Sequence, residues 1–257
     1  TAAAMPRGGN REGRGCGGWE TGNNGYYQKC TIIFALISFI VQKFALRKCY
    51  EKVKMKMISF CKGVIAMQLL EDRIIKDGVV KAGGILKVDS FLNHQIDTRL
   101  SYEMAGEFYS LFAGANINKI LTIEASGIGL ACLTGYVFGC PVLFAKKSKS
   151  SNISDDVYSA EIPSFTHGNV NTVIVSREYL HPQDRVLIVD DFLATGNALL
   201  GLMDLVTMAG GTVVGCGVAI EKQFQGGGDK LRAMGVRVES LAKIRSMSDD
   251  GKIEFCR

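Results

Sequence analysis

At 257 residues, with 47% hydrophobic and 21% charged residues and only 4 Pro against 30 Gly, the chain can bury a sizeable core of one or two domains. That composition excludes a peptide-sized scaffold, a fibrous repeat and a chain disordered throughout. The net charge of +5 is confined to one end, because residues 1–66 hold 11 Lys/Arg and 3 Asp/Glu while residues 67–257 hold 19 and 22, so any phosphate bound by the longer part must be held by a local site rather than by bulk attraction.

The basic end opens with 8 Gly in residues 1–26 and no apolar periodicity, which predicts disorder there. Cys30 to Val41 is a largely apolar run of 12 residues, short of the roughly 20 that span a bilayer. Lys and Arg follow the run instead of preceding it, the wrong polarity for a signal peptide. We expect residues 1–66 to be a non-native or disordered extension without a functional role, with a conventional start at Met67 and no membrane or nucleic-acid partner. The 8 cysteines form no CxxC or Cys/His cluster, as expected of reduced thiols in a cytoplasmic protein without a structural metal.

Beyond Met67, Leu69, Leu70, Ile74 and Ile75 recur at helical spacing, and a second helix is predicted from about Asp97 to Ala113, with a loop from Lys87 to Gln95 between them. A strand and helix rhythm follows. Asn118–Ile123, Pro141–Ala145, Val170–Ser176, Val186–Val189 and Thr212–Ile220 read as strands, and Gly127–Phe138 and Ala198–Met208 as helices. Continuous apolar strands alternating with helices predict an α/β fold whose parallel sheet is covered on both faces. Lys146 to Ser164 turns polar and reads as a mobile excursion. In such folds ligands sit at the carboxyl ends of the strands.

The strongest chemical signal is VLIVDDFLATGNA, Val186 to Ala198. An apolar strand ends in Asp190 and Asp191, and Ala194-Thr195-Gly196-Asn197 then turns into a helix. Such a turn presents backbone N–H groups and a helix N-terminus, a cradle for a monophosphate, with Gly196 permitting close approach. The two carboxylates are hydrogen-bond acceptors suited to a ribose diol.

This string resembles the phosphoribosyl-diphosphate (PRPP) motif of the type I phosphoribosyltransferases. With KVDSFLNHQID, TIEASGI, VLFAKKSKS, AIEKQF and RVESLAKI, the chain from Met67 onward is similar to the xanthine-using bacterial members of that family. The resemblance implies a central, mostly parallel sheet flanked by helices, with a small hood built from N- and C-terminal segments. It implies transfer of phosphoribose from PRPP to xanthine in purine salvage, giving XMP, with guanine or hypoxanthine as weaker acceptors. The 5′-phosphate falls to Ala194, Thr195, Gly196, Asn197 and Ala198, and the ribose to Asp190 and Asp191 as catalytic residues. Ala125, Ser126 and Gly127 would meet the diphosphate, with Lys147 and Lys149, beside Lys146, on a closing lid. Leu86, Asn93 and Lys222 would hold xanthine. Magnesium would arrive with PRPP rather than on protein ligands, and the family implies a homodimer. Where hypoxanthine-guanine members carry an acid before the Thr-Gly, this chain has Ala194, so no side-chain base is evident. Two other readings stay open: an adenine phosphoribosyltransferase, whose phosphate loop is similar, and a purine-responsive regulator built on the same fold.

Overall fold

The computed structural model describes residues 67–147, 156–163, 170–248 and 250–257; the predictions made for residues 1–66 and for Lys149 lie outside them. Strand β7 (Arg185–Leu193) is central in a six-stranded sheet of order β10-β9-β8-β7-β3-β4. Its neighbours β3 (Lys119–Ile123) and β8 (Thr212–Lys222) run parallel to it, as do β4 (Val142–Ala145) beside β3 and β9 (Val238–Met247) beside β8. Only β10 (Ile253–Phe255) is antiparallel. Burial on both faces explains why these strands read as unbroken apolar runs.

On one face, α2 (Thr98–Leu111) and α3 (Gly127–Phe138) pack with a first helix, α1, over residues 67–77, and Leu70, Ile74, Met104, Phe108 and Leu130 join Leu187 and Val189 in one core. On the other, α4 (Asn197–Met208) sets Leu199, Leu202, Leu205 and Val206 against Val186 and Ile188. The Asp97 carboxylate accepts from Leu100 N–H and caps α2, placing its start where the apolar spacing put it. The segment predicted as a loop is a tight π-helical turn, Asp89–Asn93, pinned by buried Phe91 and Leu92.

A small layer closes one end, as expected of the hood. It comprises the hairpin β1 (Val79–Lys81) and β2 (Ile85–Lys87), and the last strand, whose Ile253 and Phe255 pack with the α1 core. Arg257 reaches Glu71 of α1 at 3.2 Å. The hairpin was not predicted, because strands of three residues carry no measurable alternation.

Three predictions need correction. Within the segment predicted as an excursion, residues 148–155 and 164 lie outside the described residues, but Val157–Pro163 is a strand, β5, which pairs antiparallel with β6 (Val170–Ser176) in a separate two-stranded sheet. Ser159 and Glu161 face solvent while Ala160 and Ile162 are buried, so over this stretch the polarity marks one face of a strand. β6 is therefore no member of the parallel sheet, and its first three residues are exposed. The strand predicted to end at Val189 continues to Leu193, paired with β8 as far as Glu221, so Asp190 and Asp191 lie within it.

Candidate active site

The two carboxylates sit on β7 just beyond the end of its pairing with β3 at Ile188, only 5% and 7% exposed. Asp191 N–H donates to Asp190 Oδ1 at 3.0 Å. Burial pushes the Asp190 carboxyl well above its usual range, reinforced by the charge of Asp191 and a hydrogen bond with it, and opposed by the Asp191 N–H and the Lys147 ammonium. On β8, burial and the nearby Asp190 charge push the Cys216 thiol up to about 12. Cys132, Cys140, Cys216 and Cys256 are all free, and of the four only Cys132 is exposed.

After Leu193 the chain bends through Ala194 and Thr195 to Gly196, whose φ of 85° makes it a left-handed cap on α4. Residues with a Cβ pay about 1–2 kcal/mol for that conformation, which accounts for glycine there. No side chain caps α4, so its first N–H groups have no side-chain partner. The loop rests on a second helix start: α5 (Gly227–Ala233) brings Gly227 N–H to Ala194 O at 3.1 Å. A Cβ on Gly227 would collide with Ala194 O and lie 2.6 Å from Gly196 N. Sequence reasoning missed this support, although the run Gly226-Gly227-Gly228 was a visible signal for backbone-to-backbone packing.

The turn after β3 comes to the same edge. A Cβ on Gly127 would strike Thr122 Oγ1 and lie 3.0 Å from Asp190 Oδ1, so the end of the loop Ala125-Ser126-Gly127 lies close to Asp190. Its Glu124–Ala125 peptide is cis. Glu124 Oε1 accepts from Lys147 N–H at 2.5 Å, tying this turn to the exposed Lys147 after β4. Lys146 is no part of a loose segment, since its backbone makes an antiparallel bridge to Ile174 of β6, with both bonds 2.9 Å.

On the hood side, Lys222 ends β8 with Nζ donating to Gly84 O at 2.9 Å and lying 5.3 Å from the Phe192 ring centre. Burial lowers its ammonium from the usual lysine range. Strand alternation sends the preceding Glu221 the other way, to a two-pronged bond with Arg232 at 2.8 and 2.6 Å. Leu86 packs into the core. Asn93 Oδ1 is buried without a hydrogen-bond partner, and so is Thr122 Oγ1 beneath Gly127. An orphaned buried acceptor costs about 1–3 kcal/mol, which a ligand donor would recover. The structure thus gathers the acid pair, the Ala125–Gly127 turn and the Ala194–Ala198 loop along one sheet edge, with Lys222 at the end of the adjoining strand beneath the β1–β2 turn.

Residues 87–237 match the family described as Phosphoribosyl transferase domain. A protein of Lachnoclostridium phytofermentans named xanthine phosphoribosyltransferase is 56% identical over 190 residues, 74% of this chain and 98% of its own length. A Bifidobacterium longum protein of the same name is 54% identical over 191 residues, covering 74% and 99% of the two chains. Among solved structures, adenine phosphoribosyltransferase from Rhodothermus marinus aligns with a TM-score of 0.57 at 25% identity, over 70% of this chain and 99% of that one. The enzyme from Giardia lamblia complexed with 9-deazaadenine aligns at 0.58 and 20% identity, over 68% and 97%.

Proposed function

This chain belongs to the phosphoribosyltransferase family, and we propose that it transfers the 5-phosphoribosyl group of PRPP to xanthine, giving XMP and diphosphate. Identity of 54–56% to proteins named for that activity, across 98–99% of their length, carries the reading. The site supports it. The Ala194–Ala198 loop takes the 5′-phosphate on backbone N–H groups, Asp190 and Asp191 accept from the ribose hydroxyls, and Ala125, Ser126 and Gly127 meet the diphosphate with Lys147 and Lys149.

In the reaction a xanthine ring nitrogen gives its lone pair to the ribose anomeric carbon as the bond from that carbon to the diphosphate oxygen breaks. The nitrogen's proton leaves to solvent, since the loop offers Ala194 where a base would otherwise stand. The acids tolerate positive charge developing on the ribose. Hard carboxylate oxygens at Asp190 and Asp191 fit magnesium, an ion that keeps several waters and needs few protein ligands, so it would be held mainly by PRPP oxygens. When bound, it offsets charge on the departing diphosphate. Formation of XMP from xanthine and PRPP tests the reading directly; no turnover with any oxopurine would defeat it.

Gly196→Val is expected to weaken PRPP binding at least ~10-fold, because a branched side chain is strained at this φ and would press on Gly227 and Leu231 of α5, shifting the loop. Isothermal calorimetry giving unchanged affinity would put the phosphate elsewhere.

We also assign the catalytic domain to residues 67–257, without a part for residues 1–66, and place the enzyme in the cytoplasm with its substrates. No helix of the described residues is long and apolar enough to cross a membrane. A homodimer is supported by exposed Tyr102 and Tyr109 on α2 and Tyr136 on α3, two helices that pack together. Light scattering on residues 67–257 at micromolar concentration is expected to give the dimer mass; a monomer would refute it.

A further inference from the structure

Glu221 is fully buried and takes no part in the reaction described above. Its carboxylate accepts both prongs of the Arg232 guanidinium, at 2.8 and 2.6 Å, and the Ser240 hydroxyl from β9. Burial by itself would raise this carboxyl, yet the bonds from Arg232 and Ser240 and the Arg232 charge hold it below its usual range, so it is an ion in a dry place. A Cβ on Gly228 would collide with Glu221 Oε1, so the first turn of α5 lies directly on the carboxylate. The same helix start supports the phosphate loop through Gly227 N–H and Ala194 O. The next residue along β8, Lys222, points the opposite way to Gly84 of the hood.

We propose that Glu221, Arg232 and Ser240 are positioning residues that lock the end of β8 to α5, so that the base-reading lysine and the phosphate loop are held at one fixed separation. A buried ion pair is a weak source of net stability, and replacing one is often neutral. Its forked, directional geometry does fix the relative position of what it joins. PRPP presents its 5′-phosphate to the loop and its anomeric carbon toward the base, so both ends of the reacting pair depend on that separation. Misplacement of about 1 Å between reacting groups can lower rates ~100-fold.

The inference rests on the proposed xanthine and PRPP reading. The experiment measures kcat, KM for xanthine, KM for PRPP and the thermal midpoint in Arg232→Lys, which keeps the charge but loses the fork, and in Ser240→Ala, which leaves the ion pair in place. Arg232→Lys is expected to raise both KM values together by ~10-fold and Ser240→Ala by ~3-fold, in proteins that remain folded by circular dichroism. Unchanged KM values with a lowered midpoint would show a purely structural brace and overturn the proposal. A rise in only one KM would overturn it too, because the two subsites would then not share a support. If the unmodified chain makes no XMP, the functional reading fails first and takes this inference with it; if it does make XMP, failure in the variants counts against the lock alone.

Discussion

Asp190→Asn is expected to lower kcat for XMP formation by ~100-fold or more and, in the same protein, to raise the thermal midpoint of the ligand-free state at neutral pH. The loss follows from the amide, which has half the acceptor capacity of a carboxylate and no charge to oppose the cation developing on the ribose. The gain follows from burial. A carboxyl whose folded-state value lies above its unfolded value makes the native state bind the extra proton, so stability falls as pH rises from the ordinary aspartate range through the raised value. Asparagine carries no proton to lose, so its midpoint should not show that decline. Asp191→Asn is expected to lose turnover comparably. Activity unchanged in both variants would remove the acids from the reaction, and a midpoint in Asp190→Asn that still fell through this pH window would show that burial of Asp190 is not the source of the decline.

Lys222→Ala is expected to lower kcat/KM for xanthine by ~1,000-fold while PRPP affinity changes less than ~3-fold, and the unmodified enzyme is expected to reject adenine. Lysine has three donors and no acceptor. It satisfies a 6-oxo group, whereas the 6-amino group of adenine would set donor against donor in a partly dry pocket, and such mismatches can discriminate by ~10⁴-fold. Gly84 O and the Phe192 face occupy the ammonium, so a base read by Lys222 would have to displace a carbonyl and not merely water. Asn93, with its unpartnered Oδ1, is suited to the donor N–H on the far edge of the base. Initial rates on xanthine, guanine, hypoxanthine and adenine decide the matter. Efficient adenine turnover would leave the adenine enzyme as the better description, in keeping with the fold shared with the Rhodothermus marinus protein.

What the amino-acid sequence makes legible in this fold and site is the part whose information is local. The segment Val186 to Ala198 is legible because strand, acids, glycine turn and helix start follow one another within it. Helix α3 reads at its full extent, since the apolar run ends at a left-handed Gly139. The separation of Glu221 from Lys222 is legible from the two-residue period of a strand. The destination of Glu221 is not, because Arg232 lies 11 positions on, across a glycine turn and a seven-residue helix too short to show periodicity. Strand β5 is obscured for a similar reason: one solvated face gives its surroundings a polar average. The contact of Gly127 with Asp190 joins two turns more than 60 residues apart, and only the parallel pairing of β3 with β7 brings them together.

The sulfur nearest the acid pair bears on how the protein can be handled. With its thiol pushed up to about 12, Cys216 is scarcely ionised at neutral pH, and the thiolate is the form that alkylating and oxidising reagents attack. The buried cysteine near Asp190 is therefore no easy target for such reagents. Cys132 is exposed, midway along α3, the helix that begins at Gly127. That placement makes Cys132 an attachment point for a fluorophore that follows substrate binding from outside the pocket, with the acids and the loop left as they are.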